Sequence, residues 1–116
     1  MVEKEEPAGK IYEIALSENA LKNIDEITGY IAFINHQPLN AIKIGNAFFE
    51  LFERINEHPF AFKECPYILT KTKMYRQALC YNWLVIFKVV GNFITILGIL
   101  HTSRKPSKIK SLRRTK

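Results

Sequence analysis

After Glu64 the chain has no acidic residue. All eleven carboxylates lie between Glu3 and Glu64, whereas the cations continue from Lys71 to Lys116. The net charge of +6 therefore conceals a polarised chain. Such polarity points to a basic face for a phosphate backbone or an acidic protein segment. A solvated tail with a few snorkelling lysines is the plainer alternative. A membrane surface fits less well, since no cationic amphipathic helix carries the charge.

Cysteine is nearly as scarce. Cys65 and Cys80 are the only two, with no C-x-x-C pair and no His or Cys at zinc-like spacing. This excludes a disulfide framework and a cysteine-based zinc site, and predicts reduced, packed thiols, with no metal and no cofactor. Apolar runs of the roughly 18 residues a spanning helix needs are missing too. The opening "MVEKEEPAGK" lacks an apolar core and is not a secretory signal. Together these absences predict a soluble, cytoplasmic protein without a membrane partner. Internal repeats are also lacking.

What is present suffices for one core. The 116 residues are 47% hydrophobic and 12% aromatic, enough for a single compact domain and too little for two. Residues 1–9 read as a flexible leader, 10–106 as the domain and 107–116 as a basic tail that orders only on a partner. "KIYEIALS" alternates as a strand, and Ser17 is a fitting N-cap. Leu21, Ile24, Ile27 or Thr28, Ile31 and Ile34 then recur at helical spacing up to Asn35-His36. Pro38 suits the first turn of a second helix, striped by Ala41, Ile44, Phe48, Leu51, Phe52 and Ile55 and stopped by Pro59. The short link predicts an antiparallel helical hairpin. Three strands follow: "KMYRQALCY", "WLVIFKVV" and "FITILGILH". The last two are joined by Gly91-Asn92, a tight-turn pair. The order predicts an α+β fold, with an N-terminal strand, then the hairpin covering one face of a three-strand antiparallel meander.

This order resembles the RelE/ParE superfamily, the toxin halves of bacterial type II toxin–antitoxin modules, across roughly residues 10–106. The segments that carry the resemblance are "YEIALSENALKNIDEITGYI", "PLNAIKIGNAFFELFERINEHPF" with its "INEHP" stop, "YRQALCYNWLVIFKV" and "ITILGILHTSRKP". There are departures from the family pattern. Trp83 and Phe87 stand where many relatives carry tyrosine, Lys105 where the ParE-like branch is often acidic, and the basic tail runs past the usual end. A phenol exchanges a proton and Phe87 does not.

The resemblance implies a toxin neutralised by a cognate antitoxin in a hetero-oligomer, and the missing tyrosines favour the ParE-like branch, whose target is DNA gyrase. The alternatives are a RelE-like ribosome-dependent mRNA endonuclease or an inactive nucleic-acid-binding relative. RNA cleavage needs a base for the 2′-hydroxyl, cations for the phosphate and an acid for the leaving oxygen. Arg76, His101 and Arg104 are the candidate catalytic residues for that chemistry, with Glu50, Glu53 or Glu57 as base. A partner or polyanion surface would draw on Lys73, Tyr75, Arg76, Tyr81, His101, Arg104 and Lys105. Each also has a plainer role: ion pairing for Arg76, structural hydrogen bonding for His101, packing for the tyrosines and solvation for Arg104 and Lys105.

Overall fold

A computed structural model describes residues 12–115. The expected leader, residues 1–9, lies outside the described residues. Strand β1 spans Glu13–Leu16. Ser17 then caps α1, Glu18–Gly29, its hydroxyl oxygen accepting from the Ala20 N–H at 3.0 Å. The helix widens into a π turn over Tyr30–Ile34. Just ahead of it the Thr28 hydroxyl donates to the Ile24 carbonyl at 2.8 Å, and such back-bonding bends helices. The link to α2 passes through His36, whose φ of 55° places it in the left-handed conformation common at helix ends.

Helix α2 runs Pro38–Glu57, with the proline in its first turn. All six residues of its expected stripe, from Ala41 to Ile55, are buried. Strands β2 (Tyr75–Cys80), β3 (Trp83–Val90) and β4 (Phe93–His101) form the expected antiparallel meander. The sheet order is β1-β4-β3-β2, with β1 parallel to β4. The positive φ at Gly91, 58°, is free for a residue without a Cβ.

β1 covers β4 only from Phe93 to Ile96. Beyond that point α1 replaces a strand as the partner of β4. The Ser17 N–H donates to the Ile96 carbonyl at 3.0 Å, and the Ser17 hydroxyl and Asn19 amide both donate to that of Leu97 at 3.0 Å. The Ile99 N–H donates to Asn23 Oδ1 at 2.8 Å. Side chains thus satisfy backbone groups that a longer β1 would have paired. The register shift at Ile86/Phe87 leaves Leu97 as an extra residue in β4. Gly98, next to it, is crowded by two side chains that a larger residue would displace: a Cβ there would lie 2.8 Å from both Asn19 Nδ2 and Leu112 Cδ2.

The sheet separates two apolar clusters. On the helical side Phe48, Leu51, Phe52 and Ile55 pack against Val85, Phe87, Ile94, Ile96 and Ile99. On the other side Cys65, Ile68, Tyr75, Ile86 and Leu97 pack with Ile109 and Leu112. The last pair corrects one expectation. The described part of the basic tail, residues 107–115, is folded without a partner: α3 spans Pro106–Ser111, followed by a 3-10 turn over Leu112–Arg114. Pro106 starts the helix, and Ile109 and Leu112, three apart, bury one apolar edge beneath the charges.

Candidate functional site

The strand end that carries His101 borders a cleft of about 490 Å³ on the α1 side of the sheet. Strand pairing sets Trp83 opposite His101, and the two rings meet edge to face with centroids 6.1 Å apart. Asn23, Glu26, Ile27 and Tyr30 supply the opposite wall, at spacings that share one face of a helix. Arg104, three residues past His101, completes the rim. The cleft therefore gathers one carboxylate, one imidazole, one guanidinium and a phenol around Ile31, Ile99 and Leu100.

His101 is oriented by the turn that follows it. The Ser103 N–H donates to Nδ1 at 3.1 Å, and the Ser103 hydroxyl lies 2.8 Å from the same nitrogen. With Nδ1 accepting, the neutral ring carries its hydrogen on Nε2. The ring is exposed, so that hydrogen is free for a partner.

Arg76 is elsewhere. It pairs with Phe87, which pairs with Ile96, five positions before His101 along β4. Strand geometry then separates Arg76 from His101 by roughly 15–20 Å. Its guanidinium donates from Nη1 to the Phe62 carbonyl at 2.7 Å and lies 4.7 Å from the centre of the Phe60 ring. Its Nε is buried without a partner. The expected trio of Arg76, His101 and Arg104 is not brought together.

The remaining candidates divide. Tyr75, expected on the contact surface, is only 6% exposed and packs in the second cluster. Tyr81 is exposed at the β2–β3 turn, with Lys43 Nζ 6.0 Å from its ring centre. Its φ of 54° is a conformation that a bulky residue adopts at a cost. Lys73 sits in the loop before β2, also with a positive φ, 56°, and Lys105 is an exposed residue ahead of α3. The late cations do not form one face, because Arg104 lines the α1 cleft while Lys110, Arg113 and Arg114 line a hollow on the other side.

Of the carboxylates expected to act as a base, Glu50 lines a separate hollow beside Tyr81, Glu57 lies near Tyr12, and Glu53 is exposed on α2. Glu26, which the sequence reading passed over, is the carboxylate of the His101 cleft. Its spacing from Asn23 and Tyr30 was the available signal. Beside the cleft, Tyr30, Phe33, Ile34, Leu39 and Ile42 expose apolar surface at the tip of the helical hairpin, Phe33 to 76% and Leu39 to 81%. Burial, the leading influence on both thiols, raises Cys65 and Cys80 above the ordinary value of 9.0, so neither is a ready nucleophile. Among the described residues no group of His, Cys, Asp and Glu is placed to hold a metal ion, and no helix is long and apolar enough to cross a membrane.

The chain belongs to the toxins of type II toxin–antitoxin modules. The family model of the ParE toxin of the type II toxin–antitoxin system parDE matches residues 14–106, so the chain belongs to that family, within the RelE/ParE superfamily. Membership implies an antitoxin partner. Among solved structures, the chain is similar to one from the chromosomal ParDE TA system from P. aeruginosa, at 19% identity and a TM-score of 0.62, covering 78% of this chain and 96% of that one. It is also similar to YafQ from E. coli strain BL21(DE3), at 18% identity and a TM-score of 0.45, covering 79% and 94%. At such identities the likeness to the first concerns the fold. No curated protein matches the sequence.

Proposed function

We propose that this toxin acts in the cytoplasm by binding DNA gyrase, and that a cognate antitoxin with an acidic, amphipathic segment neutralises it. The observation that carries this reading is the separation of Arg76 from His101 and Arg104. The candidate catalytic trio for RNA cleavage is dispersed, and Arg76 is committed to Phe62 and Phe60. The remaining cleft has apolar walls, a Trp83 edge and a polar rim of Glu26, His101 and Arg104. It adjoins the exposed Tyr30, Phe33 and Ile34. Apolar surface with aromatic anchors and an arginine at the rim is the make-up of a protein-binding patch. In this reading His101, Arg104 and Lys105 contact the target and Tyr81 widens the contact, while Lys73, at the opposite end of β2, lies outside it.

A second reading, ribosome-dependent cleavage of mRNA, draws on one observation: Glu26, His101 and Arg104 line a common cleft. In that chemistry a carboxylate takes the 2′-hydroxyl proton, the 2′-oxygen attacks phosphorus, and an imidazolium protonates the departing 5′-oxygen. Induced expression in bacteria tests the choice. The gyrase reading expects arrested growth with altered plasmid supercoiling and intact mRNA, relieved by the product of the neighbouring reading frame. Arrest with codon-phased mRNA cuts, abolished by Glu26→Gln, favours the second. Harmless expression of the folded chain contradicts both.

A further inference from the structure

We propose that α3 and the loop of residues 66–69 form a binding site for single-stranded nucleic acid, on the sheet face opposite the His101 cleft. Lys110, Arg113 and Arg114 line a hollow of about 580 Å³ together with Pro66, Tyr67, Ile68 and Leu69. Spacings of three and four residues set the three cations along one side of the C-terminal turns. Among the described residues no carboxylate lines the hollow. Three like charges around one concavity repel one another, and a polyanion relieves that repulsion.

The site is built before any ligand arrives. Ile109 and Leu112 are buried in the second apolar cluster and fix α3 against the sheet. Ile68 fixes the loop in the same cluster, while Tyr67 beside it is 43% exposed. Both arginines are exposed. Guanidinium groups pair phosphate oxygens bidentately, and an exposed ring beside them offers a face on which a base stacks. Cations next to a stacking platform suit a strand with unpaired bases. The three cations lie beyond residues 14–106, the segment that matches the ParE family model, whereas Tyr67 lies within it.

Fluorescence anisotropy of the full chain with labelled 12-nucleotide single strands, DNA and RNA in separate arms, tests the proposal. Three phosphate contacts predict a slope of log K against log salt of about −2, a loss of roughly 20-fold between 50 and 200 mM salt. Arg113→Gln/Arg114→Gln should reduce that slope by about 1.4 with an unchanged melting temperature. Tyr67→Ala should weaken binding about 5-fold or more, with Tyr67→Phe restoring it. Lys22→Gln, an exposed residue of α1 on the opposite face, should bind as the parent does. A preference for one of the two strand types identifies the sugar and supports the site. The proposal is overturned if neither strand binds at 50 mM salt, or if the double variant binds as tightly as the parent. It is equally overturned if Lys22→Gln loses as much affinity, if duplex or polyglutamate competes as well as the single strand, or if Tyr67→Ala has no effect.

Discussion

Arg76 donates from its guanidinium to the carbonyl of Phe62 at 2.7 Å, tying the edge strand β2 to the segment that precedes it. The same edge is held by backbone bonds from Cys65 N–H to the Tyr75 carbonyl, 2.8 Å, and from Gln77 N–H to the Lys63 carbonyl, 3.0 Å. Arg76 thus takes part in holding the β2 edge. Arg76→Ala should lower stability by about 2–3 kcal/mol, combining a charge-assisted hydrogen bond with the lost stacking on Phe60. Denaturant unfolding measures the loss. Target inhibition by the fraction still folded should be unchanged, and a selective loss of inhibition would return Arg76 to the functional site.

The α1–β4 clamp predicts a second pattern. Asn23→Ala removes the acceptor of the Ile99 N–H and should cost about 1–3 kcal/mol. Gly98→Ala places a Cβ against Asn19 and Leu112, and should cost about 1–3 kcal/mol as those side chains are displaced. Thermal melts of both variants decide the matter. A melt for Gly98→Ala matching the parent would show that the close approach does not constrain the fold.

Tyr81 supplies a test of strain. Its left-handed conformation should make Tyr81→Gly more stable by about 0.5–1 kcal/mol. If Tyr81 also touches the target, the same variant is a weaker toxin. A stabilised variant with full toxicity would confine Tyr81 to the turn.

The thiols set an alkaline limit. Burial raises both cysteines above 9.0 in the fold, so the folded state binds their protons more tightly than the unfolded chain does. Their contribution to stability is complete below that value and is lost as pH rises past it. Unfolding free energies measured from pH 7 to 10.5 should fall above about pH 9, and Cys65→Ala/Cys80→Ala should flatten that fall. Ellman's reagent should react slowly with the native chain, at a rate that follows opening of the fold.

Much of this architecture was legible in the sequence because it is local. The α2 stripe, the Ser17 cap, the Pro38 start and the Gly91-Asn92 turn each depend on neighbours within a few residues. The parallel seat of β1 against β4 was not legible, since nothing in "EIAL" encodes a partner eighty positions away. The folded tail was not legible because its cations outnumber Ile109 and Leu112, although the burial of these two seats it against the sheet. The site was half visible: His101 and Arg104 share a strand end. Glu26 joins them only because α1 lies along the free edge of β4, and Arg76 leaves them only because the Phe60–Phe62 segment reaches it. Both are long-range outcomes.

Gyrase supercoiling of relaxed plasmid, titrated with the purified chain, decides whether the toxin captures gyrase through the His101–Arg104 cleft. The parent should inhibit, His101→Ala/Arg104→Glu should inhibit at least 10-fold less while melting at the parent's temperature, and programmed ribosomes given the same protein should keep their mRNA whole. Undiminished supercoiling at saturating toxin, with mRNA cut on the ribosome, would contradict gyrase capture.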